Sequence, residues 1–214
     1  VTDTSNMAWL TGYDGWSFYV HQCVLVTLDE NPVWYGRTQD ANGAKRTVYM
    51  DHDHITFYPD DYVQNPEKHP MDYLSGLIRE RGWAGRRLGV EMDNYYFSAA
   101  CLDSLRRHLG PDIADATALV NWQRAIKSPQ ELEYMRVAGR IVEAMHARVF
   151  EVIEPGLRKN ELVAEIYHTA LTGVDGQGGD YPAIVPLLPS GEAAGAPHLT
   201  WDDAPLKSGE ATFF

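Results

Sequence analysis

Apolar and polar positions follow two different patterns along this chain. From Tyr19 to Leu28, β-branched, aromatic and apolar residues run together without a helical period; Asp29-Glu30-Asn31-Pro32 breaks the run and Val33-Trp34-Tyr35 resumes it. This reads as a β-hairpin. Pro70 stands at a first helical position, Leu74, Leu77 and Ile78 share a stripe, and Gly82 stops the pattern. Leu88 to Met92 reads as a short strand, and Ser98 as the N-cap of a helix whose Leu102, Leu105 and Leu109 share a face before Gly110-Pro111. Strands alternating with helices predict an α/β layer structure over roughly the first 120 residues.

Beyond Lys127 the helical period takes over. In Ser128-Pro129-Gln130-Glu131 the serine is an N-cap, proline sits at N1 and glutamate at N3, which completes a capping box. Leu132, Met135, Ala138, Val142, Met145, Val149 and Val152 then recur every three or four residues until Pro155-Gly156. A second amphipathic helix follows, with Asn160 as its expected cap and Leu162, Val163, Ile166, Tyr167 and Ala170 on its apolar face. Gly173, Gly176, Gly178 and Gly179 mark a loop, since no Lys-Ser/Thr pair or preceding strand makes them a phosphate cradle. From Tyr181 the chain is rich in proline and apolar residues, and Ala211 to Phe214 reads as the start of a strand. The change of style near Lys127 sets the expected domain boundary, and the abrupt termini suggest a piece of a longer chain.

The balance of 30 acidic against 18 basic side chains, a net charge of −12, argues against nucleic acid as a partner. An aromatic share of 11% within a hydrophobic share of 44% is enough to fill a core. Two cysteines, Cys23 and Cys101, build no disulfide framework and no Cys/His zinc spacing. A reducing cytoplasmic home is expected. No apolar stretch approaches the roughly 20 residues of a membrane span, and Val1-Thr2-Asp3 opens no signal-peptide pattern.

Three clusters invite chemistry. Asp51-His52-Asp53-His54 is dense in metal-ligand types, but alternation along an extended chain puts the histidines on one face and the aspartates on the other, so it reads as a solvated turn. His198, between Pro197 and Leu199 and near Trp201, has two readings. It is a structural, hydrogen-bonded histidine, or one whose proton affinity is moved by burial so that it transfers protons near neutral pH. Trp16, Phe18 and Tyr19 are either core or, flanked by Gly12 and Gly15, an exposed loop whose rings suit a cationic ligand. The basic residues of Arg124 to Ser128 read as holding the domain junction.

The order Ser5-Asn6-Met7-Ala8-Trp9-Leu10-Thr11-Gly12-Tyr13, an α/β domain, Ile126-Lys127-Ser128-Pro129-Gln130-Glu131-Leu132-Glu133-Tyr134-Met135-Arg136 and Glu154-Pro155-Gly156 resembles the creatinase and prolidase superfamily. Within it, Asp40 to Ala44, Tyr58-Pro59-Asp60, Tyr62 to Pro66, Glu91 to Tyr96 and Gly178 to Ala183 look most like bacterial ectoine hydrolases. The resemblance implies a creatinase-like N-terminal α/β domain with a mixed sheet over residues 1–126, then, over 127–214, the first part of an α+β pita-bread catalytic domain.

It further implies a hydrolase of non-peptide C–N bonds that opens the cyclic amidine of ectoine to an acetylated diaminobutyrate. His198 matches the family's first catalytic histidine. The segment around Phe18 matches a loop that reaches into the partner subunit's site, so a homodimer with shared sites is expected. Val20 stands where creatinases carry arginine, which argues against a guanidino acid. The expected substrate-facing set is Trp16, Phe18, Tyr19, His21, Tyr181 and Trp201, with a glutamate nucleophile beyond Phe214. No metal or other cofactor is expected; two divalent ions are the alternative should aspartate follow Phe214. The other readings are a metal-dependent Xaa-Pro peptidase and a non-catalytic peptidase-like binding module, whose mark would be the loss of His198. The 214-residue chain by itself is expected to be inactive.

Overall fold

The computed structural model describes residues 1–214, which divide into two compact units, Val1–Ile126 and Lys127–Phe214. In the first unit the elements run α1 (Thr4–Thr11), β1 (Cys23–Leu25), β2 (Val33–Arg37), α2 (Ala41–Thr47), β3 (Ile55–Tyr58), α3 (Pro70–Glu80), β4 (Leu88–Val90), α4 (Ala99–Leu109), β5 (Ile113–Asp115) and α5 (Leu119–Ala125). The hairpin forms: β1 pairs antiparallel with β2, Val24 opposite Trp34, and β3 adds parallel to the other edge of β2. A second, two-stranded sheet joins β4 and β5 in parallel. The three-stranded sheet is therefore mixed, and the two-stranded one is parallel.

Alternation along the hairpin explains why its sequence looks uniformly apolar. Cys23, Val33 and Tyr35 belong to one core, with Met71, Leu74 and Ile78 of α3 and Cys101 and Leu105 of α4. Val24 and Trp34 belong to another, with Met7 of α1 and Ala41 and Ala44 of α2. A strand buried on both faces needs apolar residues at successive positions. Trp34 and Tyr35 are both fully buried.

The helix ends follow local chemistry. Ser98 caps α4 by accepting from the Cys101 amide. At α3 the acceptor is the imidazole of His69, Nδ1 taking the Met71 N–H at 3.1 Å, while Asp72 reaches back to the His69 amide at 3.0 Å. Gly12 ends α1 in the left-handed region at φ +77°, where a Cβ would also lie 3.1 Å from the Thr47 carbonyl.

In Lys127–Phe214 the Ser128 capping box opens α6 (Pro129–Val152), and α7 (Lys159–Thr172) packs against it. The cap of α7 is Arg158, whose amide donates to Glu161 at 3.2 Å, and Asn160 already lies inside the helix. Val149, Leu162, Val163, Ile166, Leu188 and Leu206 form the core. The chain after α7 is irregular apart from a 3₁₀ segment, Gly191–Gly195. Leu206 holds its tail to the helix pair by exchanging backbone bonds with Gly156 and Leu157 at 2.8 and 2.9 Å. The strand expected at Ala211 to Phe214 is reduced to one bridge between Thr212 and Ser190, because no neighbouring strand continues the pairing. Asp51 to His54 is the expected turn, with His52–His54 in one 3₁₀ turn. No helix is long and apolar enough to cross a membrane.

Candidate functional site

Between α1 and β1 the chain makes a loop with a fixed base and a free crest. Tyr13, Ser17 and Gln22 are buried and joined in series, Tyr13 Oη to Ser17 Oγ at 2.7 Å and Ser17 Oγ donating to Gln22 Oε1 at 2.8 Å. Gly15 is required by the Tyr13 ring: a Cβ there would lie 2.2 Å from the phenol oxygen. Above this base Trp16 and Tyr19 are 61% and 59% exposed. Phe18 packs between them and the body of the unit, its ring 4.7 Å from Trp16 and 6.0 Å from Tyr96. Arg37, paired with Asp40 at 3.3 Å, donates to the Tyr19 hydroxyl at 3.3 Å and places its guanidinium 5.8 Å from that ring's centre. The loop thus presents aromatic faces on a hydrogen-bonded scaffold, an arrangement suited to a delocalised cation.

His21, at the end of the same loop, turns inward. Its carbonyl accepts from Tyr58 Oη at 2.8 Å, its Nδ1 lies 3.5 Å from Cys101 Sγ, and its ring is 4.8 Å from that of His69. Burial, reinforced by the neighbouring His69, lowers its pKa and keeps it neutral.

The candidates of the second unit are not gathered into one cavity. His198 is exposed, on a turn closed by the Leu199 amide bonding to Ala196 at 3.1 Å. The expected burial of this histidine is therefore corrected: the prolines keep the segment out of regular structure and on the surface. Tyr181 is 53% exposed, and Trp201 is half-buried with its ring 6.4 Å from Tyr167. A hollow of about 630 Å³ beside α6 is apolar and lined by Val142, Met145, Val149, Ile184 and Phe214, and none of the three candidates is on its wall. Nor do three His, Cys, Asp or Glu side chains of Lys127–Phe214 converge as a metal-binding set would.

Sequence reasoning passed over the residues that support the loop. Ser17, Gln22 and Arg37 carry no motif, Tyr13 enters only as the end of the Ser5 to Tyr13 run, and the spacing of Gly12 and Gly15 hints at a built turn. The approach of His21 to Cys101 joins segments 80 residues apart, and with His69 beside them it has no local signal.

Two family models match. The Creatinase/Prolidase N-terminal domain covers residues 1–126, and Metallopeptidase family M24 covers residues 133–214. An ectoine hydrolase of Halomonas elongata is 63% identical over all of this chain and 55% of its own length. An uncharacterized hydrolase/peptidase of Sinorhizobium fredii is 39% identical over 95% of this chain and 52% of its own length. Among solved structures, a recombinant prolidase from Thermococcus sibiricus superimposes with a TM-score of 0.74 at 15% identity, covering 97% of this chain and 53% of the prolidase. The chain spans about half the length of these relatives. The metallopeptidase match corrects the expectation that no cofactor is involved. The donor chemistry of residues 127–214 does not by itself constitute the centre that this family's description implies.

Proposed function

The chain belongs to the creatinase/prolidase family, and from that premise we propose that it forms part of a hydrolase that opens the cyclic amidine of ectoine. The observation that carries this reading is the 63% identity to the Halomonas ectoine hydrolase along the whole chain. In the reaction, oxygen from water adds to the carbon between the two ring nitrogens. One carbon–nitrogen bond breaks, and the departing nitrogen takes up a proton to leave an acetylated diaminobutyrate. A neutral imidazole that can both accept and return a proton near pH 7 suits that step, and His198 is the residue we assign to it. Its exposed turn leaves the side chain accessible.

The exposed rings of Trp16 and Tyr19, with Phe18 beneath them, supply faces for the amidinium. Tyr181 and Trp201 are the further substrate contacts we propose, while His21 holds the foot of the loop. The same reading includes a homodimer in which the loop from Gly12 to His21 serves the partner's site. Mixing an inactive His198→Ala chain with an inactive Phe18→Ala chain should then restore part of the activity, because one hybrid site is intact. Proven exchange without recovery would count against sharing.

The reading is tested on a protein that carries this chain at the full length of its Halomonas relative. It is incubated with ectoine or with an Xaa-Pro dipeptide, before and after chelation. Ectoine consumed with stoichiometric release of acetylated diaminobutyrate is the expected result. Dipeptide cleavage with ectoine left intact would replace it with the peptidase reading, and the chelated samples report metal dependence for whichever reaction occurs.

A further inference from the structure

We propose that His21, His69 and Cys101 form a binding site for a thiophilic divalent ion, Zn(II), with a fourth coordination position open to water. The inference stands apart from the catalytic reading, since it rests on side chains inside Val1–Ile126 alone.

Three separate elements deliver the donors: the foot of the aromatic loop, the N-cap of α3 and the first turn of α4. One donor atom from each lies within 4.8 Å of the other two. The Sγ of Cys101 and Nδ1 of His21 are 3.5 Å apart. Two ligands of a tetrahedral zinc, with bonds of about 2.0–2.1 Å to nitrogen and 2.3 Å to sulfur, sit about 3.6 Å apart. That pair is already at coordination spacing, and the His69 donor lies within 4.8 Å of both.

Access and solvent come from one side. Cys101 is fully buried, but His21 and His69 line a cavity of about 150 Å³ shared with Tyr19, Tyr62, Asn65 and Lys68. The ammonium of Lys68 is engaged by Asp61. The cavity gives an ion a path and supplies its fourth ligand.

A purely structural account covers only part of this arrangement. The Cys101 thiol has Ser98 Oγ at 3.3 Å as well as His21, which satisfies it as a buried polar group. It gives no reason for two imidazoles to face each other with no carboxylate between them. Burial disfavours the charged forms of all three groups, lowering the pKa of both rings and raising that of the thiol. His69 Nδ1 accepts from Met71, so its proton is on Nε2. On binding, that proton moves to Nδ1, the helix-cap bond is exchanged for a metal bond through Nε2, and Cys101 releases one proton to solvent as it becomes a thiolate. The site carries a single net positive charge once filled, and Asp72, which accepts the His69 amide, lies beside it.

The test uses the full chain after chelation, titrated with Co(II) alone and then with Zn(II) in competition. One equivalent of Co(II) should give a thiolate-to-cobalt charge-transfer band with the intense visible bands of a four-coordinate ion, both displaced by Zn(II). Cys101→Ser should abolish the charge-transfer band, and Cys23→Ala should keep it. His69→Asn preserves an N-cap acceptor for α3 while deleting a ligand, so it should weaken Co(II) at least ~10-fold with the melting temperature of the metal-free protein unchanged. A wild-type titration without a thiolate band would overturn the site. So would a band that survives Cys101→Ser, or unaltered affinity in His69→Asn, the latter deciding the matter should Cys101→Ser fold poorly.

Discussion

Val1–Ile126 and Lys127–Phe214 draw on the same kinds of apolar residue and spend them differently. In the first unit a short hairpin is covered on both faces, so Val24, Trp34 and Tyr35 vanish from the surface and an aromatic loop is left standing on a buried base. In the second, α6 runs for 24 residues yet buries only Val149, while Leu132, Met135 and Val142 stay 40%, 54% and 49% exposed. A hydrophobic stripe says which face of a helix wants cover, and neighbouring chain decides how much it receives. The lesson carries to the chemistry. Polar groups of the first unit are fixed by what surrounds them, whereas His198 lies on an exposed turn whose immediate neighbours leave it accessible.

The largest effect should come from attacking that contrast directly. Trp34→Ala, in the doubly covered strand, is expected to cost about 3–5 kcal/mol, whereas Met135→Ala on α6 should stay within about 0.5 kcal/mol. Urea denaturation of both variants checks this, and equal losses would erase the distinction between the units. Next in size, His198→Ala in a protein of the relative's full length should fold normally, since the side chain is exposed, and lose at least ~100-fold in turnover. Near-normal steady-state rates would sink the assignment.

A smaller effect concerns acid. Glu91 is buried, which alone would push its carboxyl up, but amides of Thr2 and Asp3 at 2.6 and 2.8 Å and the Asn6 side chain at 2.7 Å outweigh that and hold it below the ordinary glutamate range. A depressed folded-state value contributes stability above the unfolded pKa, about 4.3, and that contribution disappears as pH falls through the folded value. Glu91→Gln should therefore lose about 1.5–3 kcal/mol near neutrality and show a flatter acid limb when melting temperature is followed against pH. An unchanged limb would mean that the carboxylate is not what fixes the N-terminal segment. Smallest of all, Ser128→Ala removes one half of the capping box at α6 and should cost about 1 kcal/mol, visible in the same denaturation assay.

How much of this was legible in the sequence depends on the range of the interaction involved. Ser128, Pro129 and Glu131 announce α6, and Ser98 announces α4, because a cap is chemistry within four residues. Helix α1 escapes because Met7, Ala8, Trp9 and Leu10 form a run and not a stripe, and β3 because four residues between two 3₁₀ turns carry too little periodicity. The cap of α3 is missed because it is an imidazole, outside the usual serine and aspartate vocabulary. The aromatic crest is readable from its glycines, but its support by Ser17, Gln22 and Arg37, like the approach of His21 to Cys101, comes from packing across the fold.

The account turns on which bond is opened. Ectoine labelled with carbon-13 at the carbon between its ring nitrogens, followed by NMR with the full-length protein and its His198→Ala variant, tests that directly. The prediction is that the amidine signal is replaced by that of an acetamide carbonyl in the wild type and persists in the variant. An amidine signal that persists in the wild type, or that disappears equally fast without His198, would contradict it.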